Sequence, residues 1–127
     1  MKKKQIKVLL VEDDKMIVDM YKMRLEEEGY EIIITDKGSE ALEIAKEEKP
    51  DVILLDVILP EVDGFTILDK LKSQHVTKDI PVLMLTNLGQ EADKDKGREM
   101  GADDYFVKSQ HTPAEVLAKI KELINKE

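Results

Sequence analysis

Five short apolar runs alternate with helical patterns along this chain. The runs cover residues 6–11, 31–35, 52–55, 82–85 and 105–107. Most of them are continuously apolar, as strands must be when helices cover both faces of a sheet. Strands that alternate with helices are typical of repeated βα units, which build a parallel sheet. The sequence therefore predicts an α/β fold.

Helical periodicity fills the stretches between these runs. The predicted helices cover 15–28, 39–48, a segment that begins near Gly64, 88–100 and a segment that begins at Pro113. The last has the strongest start signal, because Thr112 and Glu115 have the spacing of a capping box and proline suits the first helical turn. The helix at 88–100 has little apolar surface and contains Gly97, which lowers helix propensity by about 1 kcal/mol relative to alanine. We expect it to be the most weakly held helix.

Composition excludes several classes of function. The formal net charge of -8 disfavours nonspecific binding to nucleic acid or anionic lipid, and there is no Trp and no Cys. Disulfides and thiolate metal sites are therefore excluded. The first apolar run ends at Val11 and is too short for a signal peptide or a membrane span. We expect one cytoplasmic domain, 1–127, without membrane contact.

Polar residues collect just after the predicted strands. Glu12, Asp13 and Asp14 follow the first, Asp56 the third, Thr86 the fourth and Lys108 the fifth. Taken singly, each has an ordinary structural interpretation: Asp14 as a helix cap, Thr86 as a turn hydroxyl and Lys108 as a solvated charge. Ligands of parallel α/β sheets bind beyond the carboxyl ends of the strands, so the convergence of these groups at one edge favours a functional site.

The residue types indicate a chemistry. Clustered carboxylates repel one another unless a cation joins them, and all-oxygen sites of this kind suit Mg²⁺. An ionised Asp56 could then act as a nucleophile toward phosphorus, while Lys108 and the metal neutralise charge on the transferring oxygens. The predicted product is an aspartyl phosphate.

The order of these motifs resembles the response-regulator receiver family over essentially the whole chain. The residues that carry the resemblance are Val11-Glu12-Asp13-Asp14, Leu54-Leu55-Asp56, Leu59-Pro60-Glu61-Val62-Asp63-Gly64, Leu85-Thr86 and the segment from Gly101 to Lys108. The resemblance implies a flavodoxin-like receiver fold, a doubly wound five-stranded parallel sheet of order 2-1-3-4-5 with five helices.

The resemblance also implies roles for single residues. Asp56 would be the phosphoacceptor. Mg²⁺ would be held by Asp13, Asp56 and the backbone carbonyl of Ile58, with Glu12 acting through water. Thr86 would bond a phosphoryl oxygen, Lys108 would pair with the phosphoryl group, and Tyr105 would change rotamer on activation. An ordinary half-buried strand residue is an almost equally good interpretation of Tyr105.

By the same resemblance, the phosphoryl group would come from a histidine kinase or a histidine phosphotransfer protein. The face from strand 4 to helix 5 would then bind a downstream protein effector, with no nucleic acid bound by this domain itself. The chain would be a monomer or a phosphorylation-dependent dimer. It would catalyse its own phosphorylation and dephosphorylation only, so it would not be an enzyme in the ordinary sense.

Two departures from the family pattern bear on the site. Ser109 follows Lys108 where the family usually has a proline, often with a cis peptide. Because a non-proline cis bond costs about 2.5 to 4 kcal/mol, we expect a trans bond. Ile58 is apolar at a position that influences how fast water reaches the phosphoryl group, so a long phosphorylated lifetime is expected.

Three other functions compete with this interpretation. A phosphatase of the haloacid-dehalogenase type also uses an Asp after a strand, but it has a second Asp two residues later, where this chain has Ile58. A flavin-binding module of similar topology is disfavoured because acidic residues follow strand 1 instead of a phosphate-binding loop. A degenerate receiver that acts only as a scaffold is disfavoured because every functional position is filled.

Overall fold

The computed structural model describes residues 5–125 of the chain. Strands and helices alternate in the order β1 (Lys7–Val11), α1 (Lys15–Glu27), β2 (Glu31–Thr35), α2 (Gly38–Glu48), β3 (Val52–Leu55), α3 (Gly64–Ser73), β4 (Val82–Thr86), α4 (Glu91–Glu99), β5 (Asp104–Val107) and α5 (Pro113–Ile124). The strands are parallel and lie in the order β2-β1-β3-β4-β5. The predicted fold class is confirmed.

Helices cover both faces of the sheet, which explains the unbroken apolar strands. In β1, Leu9 and Val11 pack in a core with α2 and α3. The alternate residues Val8 and Leu10 pack in a second core with α1 and α5. Because successive side chains of a strand point to opposite faces, every residue of a central strand has to be apolar.

Side-chain caps hold the starts of α1 and α5 next to the carboxyl edge. Asp14 Oδ1 accepts hydrogen bonds from the backbone N–H groups of Met16 and Ile17, at 3.0 and 3.4 Å. At α5, the Thr112 hydroxyl accepts from Glu115 N at 3.3 Å, and Glu115 Oε1 accepts from Thr112 N at 3.0 Å. The predicted capping box is confirmed, and Asp14 has its ordinary structural role.

Helix α4 is shorter than predicted. It begins at Glu91 rather than residue 88, because Asp93 Oδ2 accepts a hydrogen bond from the backbone N–H of Gln90 at 3.2 Å and so closes the first turn there. Within α4 only Gly97 is buried. This agrees with its weak apolar pattern, although its expected looseness stays a prediction. The other predicted boundaries agree with the structure to within one residue.

Two further observations concern the backbone. Every peptide bond among the described residues is trans, Lys108–Ser109 included, as expected. No helix within residues 5–125 has the length and apolar composition that crossing a membrane requires.

Candidate functional site

Lys108 joins two carboxylates at the carboxyl edge of the sheet. Its Nζ lies 2.6 Å from Glu12 Oε1 and 3.0 Å from Asp56 Oδ2. Glu12 follows β1, Asp56 follows β3 and Lys108 follows β5, so the lysine side chain reaches past β4 to make both contacts. The convergence predicted from the strand ends is present in the structure.

Glu12 is the most deeply placed member of this group. Its side chain is 1% exposed. Its Oε2 accepts a hydrogen bond from the backbone N–H of Asp14 at 3.0 Å, while its Oε1 faces Lys108. Burial raises the pKa of Glu12, and the nearby charge of Asp56 raises it further, against the opposing effects of Lys108 and the Asp14 N–H. A charge at this position therefore depends on the lysine beside it.

The same contacts act on the lysine. Burial lowers the pKa of Lys108, but its contacts with the Glu12 and Asp56 carboxylates together raise it by more, so the pKa is raised overall. The side chain is 11% exposed. Lys108 is thus a cation at neutral pH, in contact with the two carboxylates that it neutralises.

Backbone contacts fix the direction of Asp56. Its N–H donates to Val11 O at 3.1 Å, and its Oδ1 accepts from Ile58 N at 3.1 Å. The first residue of α3, Gly64, packs directly on this loop: its N–H donates to Val57 O at 2.7 Å, and a Cβ at Gly64 would overlap the carbonyl oxygen of Asp56. Only glycine permits this close approach.

The carboxylates surround a cleft of about 380 Å³. Its lining residues are Glu12, Asp13, Asp14, Asp56, Ile58, Asn87 and Lys108. One carboxylate oxygen from each of Glu12, Asp13 and Asp56 lies within 4.8 Å of the others. Oxygen donors at such spacing fit a hard divalent cation such as Mg²⁺, and Asp13 is exposed, so a cation can reach it from solvent.

Thr86 and Tyr105 lie outside the lining of this cleft. Thr86 is completely buried, and its hydroxyl accepts from Leu88 N at 3.3 Å. Tyr105 is buried, more deeply than its alternative interpretation as a half-buried strand residue supposed, and its hydroxyl donates to Leu88 O. Burial raises the pKa of Tyr105 to about 12. The two predicted switch residues therefore bind the two backbone polar groups of one residue in the β4–α4 loop.

Sequence reasoning missed Asn87 as a site residue. It follows Thr86 directly and is exposed in the cleft, while Thr86 is buried. The alternation of side-chain directions along an extended chain could have indicated it, since the residue after a strand's buried last position faces the other way.

Comparison with known proteins gives a family. The response regulator receiver domain family matches residues 8–121. Two curated relatives are the alkaline phosphatase synthesis transcriptional regulatory protein PhoP of Bacillus subtilis, 42% identical over 120 residues, and the DNA-binding dual master transcriptional regulator RpaA of Synechocystis, 41% identical over 120 residues. Each alignment covers 94% of this chain and 49% of the relative. The chain thus spans about half the length of these relatives.

Solved structures show the same architecture. A response regulator from Chloroflexus aurantiacus has a TM-score of 0.88 and 34% identity, covering 96% of this chain and 99% of that one. The receiver domain of a sensor histidine kinase from Pseudomonas aeruginosa, described with a magnesium ion coordinated in its active-site cleft, has a TM-score of 0.86 and 25% identity, with 96% and 99% coverage. The chain belongs to the response-regulator receiver family and is a receiver domain of two-component signal transduction.

Proposed function

We propose that Asp56 is the phosphoacceptor of this receiver domain, with Lys108 and Thr86 as its catalytic partners. The observation that carries the proposal is the contact of Asp56 with Lys108, at 3.0 Å, inside a cleft that also holds Glu12 and Asp13. An aspartate held this way lies against a cation and is fixed in direction, and it faces a space that a donor can enter.

The reaction requires one bond to form and one to break. A carboxylate oxygen of Asp56 attacks the phosphorus of a phosphohistidine on a histidine kinase or histidine phosphotransfer protein. The oxygen–phosphorus bond forms while the nitrogen–phosphorus bond breaks, and the imidazole leaves with the bonding electron pair. Lys108, already 3.0 Å from Asp56, pairs with the charge that the phosphoryl oxygens bring.

The acidic residues suit a Mg²⁺ cofactor. Asp13, Asp56 and the backbone carbonyl of Ile58 would hold the ion directly. Glu12 would act through water, which fits its deep burial and its engagement with Lys108 and the Asp14 N–H. When bound, the ion supplies positive charge that reduces repulsion between the carboxylates and the incoming phosphoryl oxygens.

Leu88 connects the site to the proposed output face. A Thr86 hydroxyl that turns to a phosphoryl oxygen gives up its hydrogen bond from Leu88 N. The other polar group of Leu88 accepts the Tyr105 hydroxyl, so a shift of Leu88 would also release Tyr105. Thr86 and Tyr105 would thus act as the switch, changing the face from β4 to α5 on phosphorylation.

The proposed partners are proteins. A histidine kinase or phosphotransfer protein would supply the phosphoryl group, and a downstream effector would bind the changed face, with this domain a monomer or a phosphorylation-dependent dimer in the cytoplasm. The expectation that the chain binds no nucleic acid is not confirmed, because one relative is named as DNA-binding and this chain spans about half of it.

One experiment tests the phosphoacceptor. Incubation with acetyl phosphate and Mg²⁺, followed by intact-mass analysis, should show one added phosphoryl group. Asp56→Asn should abolish it, whereas Asp36→Asn, a matched change of an exposed aspartate after β2, should leave it intact. A phosphoryl group that persists in Asp56→Asn would defeat the assignment.

We also propose that the domain does not turn over free phosphate esters. Ile58 has no proton to give a leaving group, at the position where a haloacid-dehalogenase phosphatase has its second aspartate. Incubation with p-nitrophenyl phosphate and Mg²⁺ should release no more nitrophenol than Asp56→Asn does. Release of many equivalents per protein would favour the phosphatase interpretation.

A further inference from the structure

His111 binds the last residue of β5 with its ring. Its Nδ1 accepts a hydrogen bond from Val107 N at 3.0 Å and lies 3.2 Å from Val107 O. A backbone N–H can only donate, so this contact requires the tautomer that carries its proton on Nε2, whereas the opposite tautomer would donate from Nδ1 to Val107 O. The N–H groups of Gln110 and His111 both donate to Val107 O at 2.9 Å, which closes residues 107–111 into a tight turn.

The ring is also held from the side of the core. His111 and Phe106 meet edge to face, with ring centroids 5.3 Å apart and an interplanar angle of 86°. Phe106 is 7% exposed and belongs to the core between the sheet, α1 and α5. The ring therefore has a defined position, fixed by one hydrogen bond and one aromatic contact.

The residue that His111 binds, Val107, lies next to the lysine of the site. Val107 directly precedes Lys108, whose N–H donates to Thr86 O at 2.8 Å and whose side chain extends to Glu12 and Asp56. The next two residues, Ser109 and Gln110, are exposed. Beyond the β4 pairing and core packing, the end of β5 from which Lys108 projects is therefore also bound, at its backbone, by the His111 side chain.

We propose that His111 is a positioning residue for phosphoryl transfer. By binding the Val107 backbone, it fixes the exit of β5 and so aims the Lys108 ammonium at Asp56. This role rests on the proposed function of Asp56 and Lys108. It requires an acceptor at the position of Nδ1, a requirement that separates it from simple packing.

Three substitutions distinguish the role of Nδ1 as a hydrogen-bond acceptor from the role of the ring in packing. In His111→Asn, the side-chain oxygen stands as many bonds from the backbone as Nδ1, so it can accept from Val107 N. In His111→Gln, the oxygen stands one bond farther out, and His111→Leu has no acceptor. We expect phosphorylation by acetyl phosphate at saturating Mg²⁺ to be about fivefold slower in the Leu and Gln variants, the scale of one hydrogen bond, and to recover most of that loss in Asn.

Each pattern of rates has a definite meaning. Rates equal to wild type in all three variants would overturn the proposal. Equal slowing in Asn, Gln and Leu would also overturn it, because the ring would then matter only for packing. Should His111→Leu fail to fold, the comparison of Asn with Gln still decides, since both are polar amides.

A second measurement needs no phosphodonor. Long-range proton–nitrogen NMR spectra should show the His111 proton on Nε2, and the Val107 amide should exchange with solvent more slowly in wild type than in His111→Leu. A proton on Nδ1, or equal exchange, would overturn the inference even if Asp56 is phosphorylated normally. Conversely, failure of the wild type to accept a phosphoryl group would overturn the proposed function while these spectra stayed unchanged.

Discussion

The Lys108 ammonium lies 2.6 Å from Oε1 of Glu12, a carboxylate that is 1% exposed. Burial alone would favour the protonated form of this glutamate, and its pKa is raised accordingly. Lys108 is the cation in contact with it, so the charge of Glu12 and the position of Lys108 depend on each other. We expect this ion pair to affect stability as well as phosphoryl transfer.

Lys108→Met should destabilise the fold. It leaves Glu12 buried without its cation, and we expect the free energy of unfolding to fall by about 1 to 3 kcal/mol at pH 7 in EDTA. The loss should shrink as the pH falls through the pKa of Glu12, because a protonated Glu12 no longer needs a cation. Urea denaturation at several pH values measures both effects.

Lys119→Met is the matched control. Lys119 pairs with Glu122 at 2.8 Å on the surface of α5, where both side chains contact solvent. Exposed pairs contribute about 0 to 1 kcal/mol, so this variant should stay close to wild type. An equal loss of unfolding free energy in Lys108→Met and Lys119→Met would show that the burial of Glu12 does not increase the cost of removing its cation.

Mg²⁺ should stabilise the wild-type fold through the acidic cluster. At ten times its dissociation constant, a ligand that binds only the folded state adds about 1.4 kcal/mol. Asp13→Asn should reduce this stabilisation strongly, whereas Glu47→Gln, on the exposed side of α2, should not. Thermal melts with and without Mg²⁺ measure this stabilisation. If Mg²⁺ stabilised Asp13→Asn as much as wild type, Asp13 would not be part of the metal site.

The strands and the charged site residues were predictable because one physical rule governs each. Burial of both sheet faces forces apolar runs, and the carboxyl edge of a parallel sheet collects ligand-binding groups. Glu12, Asp13, Asp56 and Lys108 follow from position alone. The structure brings these four together in one cleft.

The start of α4 and the neighbours of Thr86 were not predictable in the same way. Helix α4 starts where Asp93 binds Gln90, and the loop before it is held by Tyr105, which lies 17 residues beyond Leu88 in the chain. Such a contact exists only once the sheet is assembled. The exposure of Asn87 beside the buried Thr86, by contrast, follows the alternation of side chains along an extended chain.

Tyr105→Phe should alter stability at high pH. Because the folded-state pKa is about 12, against an ordinary value of about 10, folding disfavours the phenolate. Tyr105 therefore contributes stability that is complete below about pH 10 and is lost as the pH rises through 12. In Tyr105→Phe, the part of the stability loss at alkaline pH that comes from this phenol should be absent. At pH 7 the free energy of unfolding should be about 1 kcal/mol lower than in wild type, because the hydrogen bond to Leu88 O is missing.

Absorbance at 295 nm checks the assignment. Tyr21 is also buried, with a pKa of about 12, so wild type should show at least two tyrosines that ionise late. Tyr105→Phe should remove one of them, and Tyr21→Phe the other. If the absorbance change at high pH were as large in Tyr105→Phe as in wild type, the burial of the Tyr105 phenol would be contradicted.

Gly97→Ala should not stabilise α4, although helix propensity alone would favour alanine by about 1 kcal/mol. A Cβ at Gly97 would lie 2.9 Å from Cδ2 and 3.3 Å from Cε2 of Tyr105, so the ring or the helix has to move. Overpacking costs about 1 to 3 kcal/mol, and we expect a net loss. Asp95→Ala, on the exposed side of α4, should instead raise the free energy of unfolding by about a few tenths of a kcal/mol. A higher melting temperature in both variants would show that α4 adjusts freely.

Ile58 should protect the phosphorylated state from water. Its side chain is 59% exposed and lines the cleft beside Asp56, but it offers no hydrogen bond that could orient a water molecule toward phosphorus. Ile58→Asn supplies such a group and should shorten the lifetime of the aspartyl phosphate several times, since hydrolysis depends on a positioned nucleophile. Decay is followed by intact mass after removal of the donor. Val76→Asn, which changes another exposed apolar residue outside the cleft lining, is the control, and its aspartyl phosphate should decay as in wild type. Equal lifetimes in wild type and both variants would show that the Ile58 side chain does not control access of water.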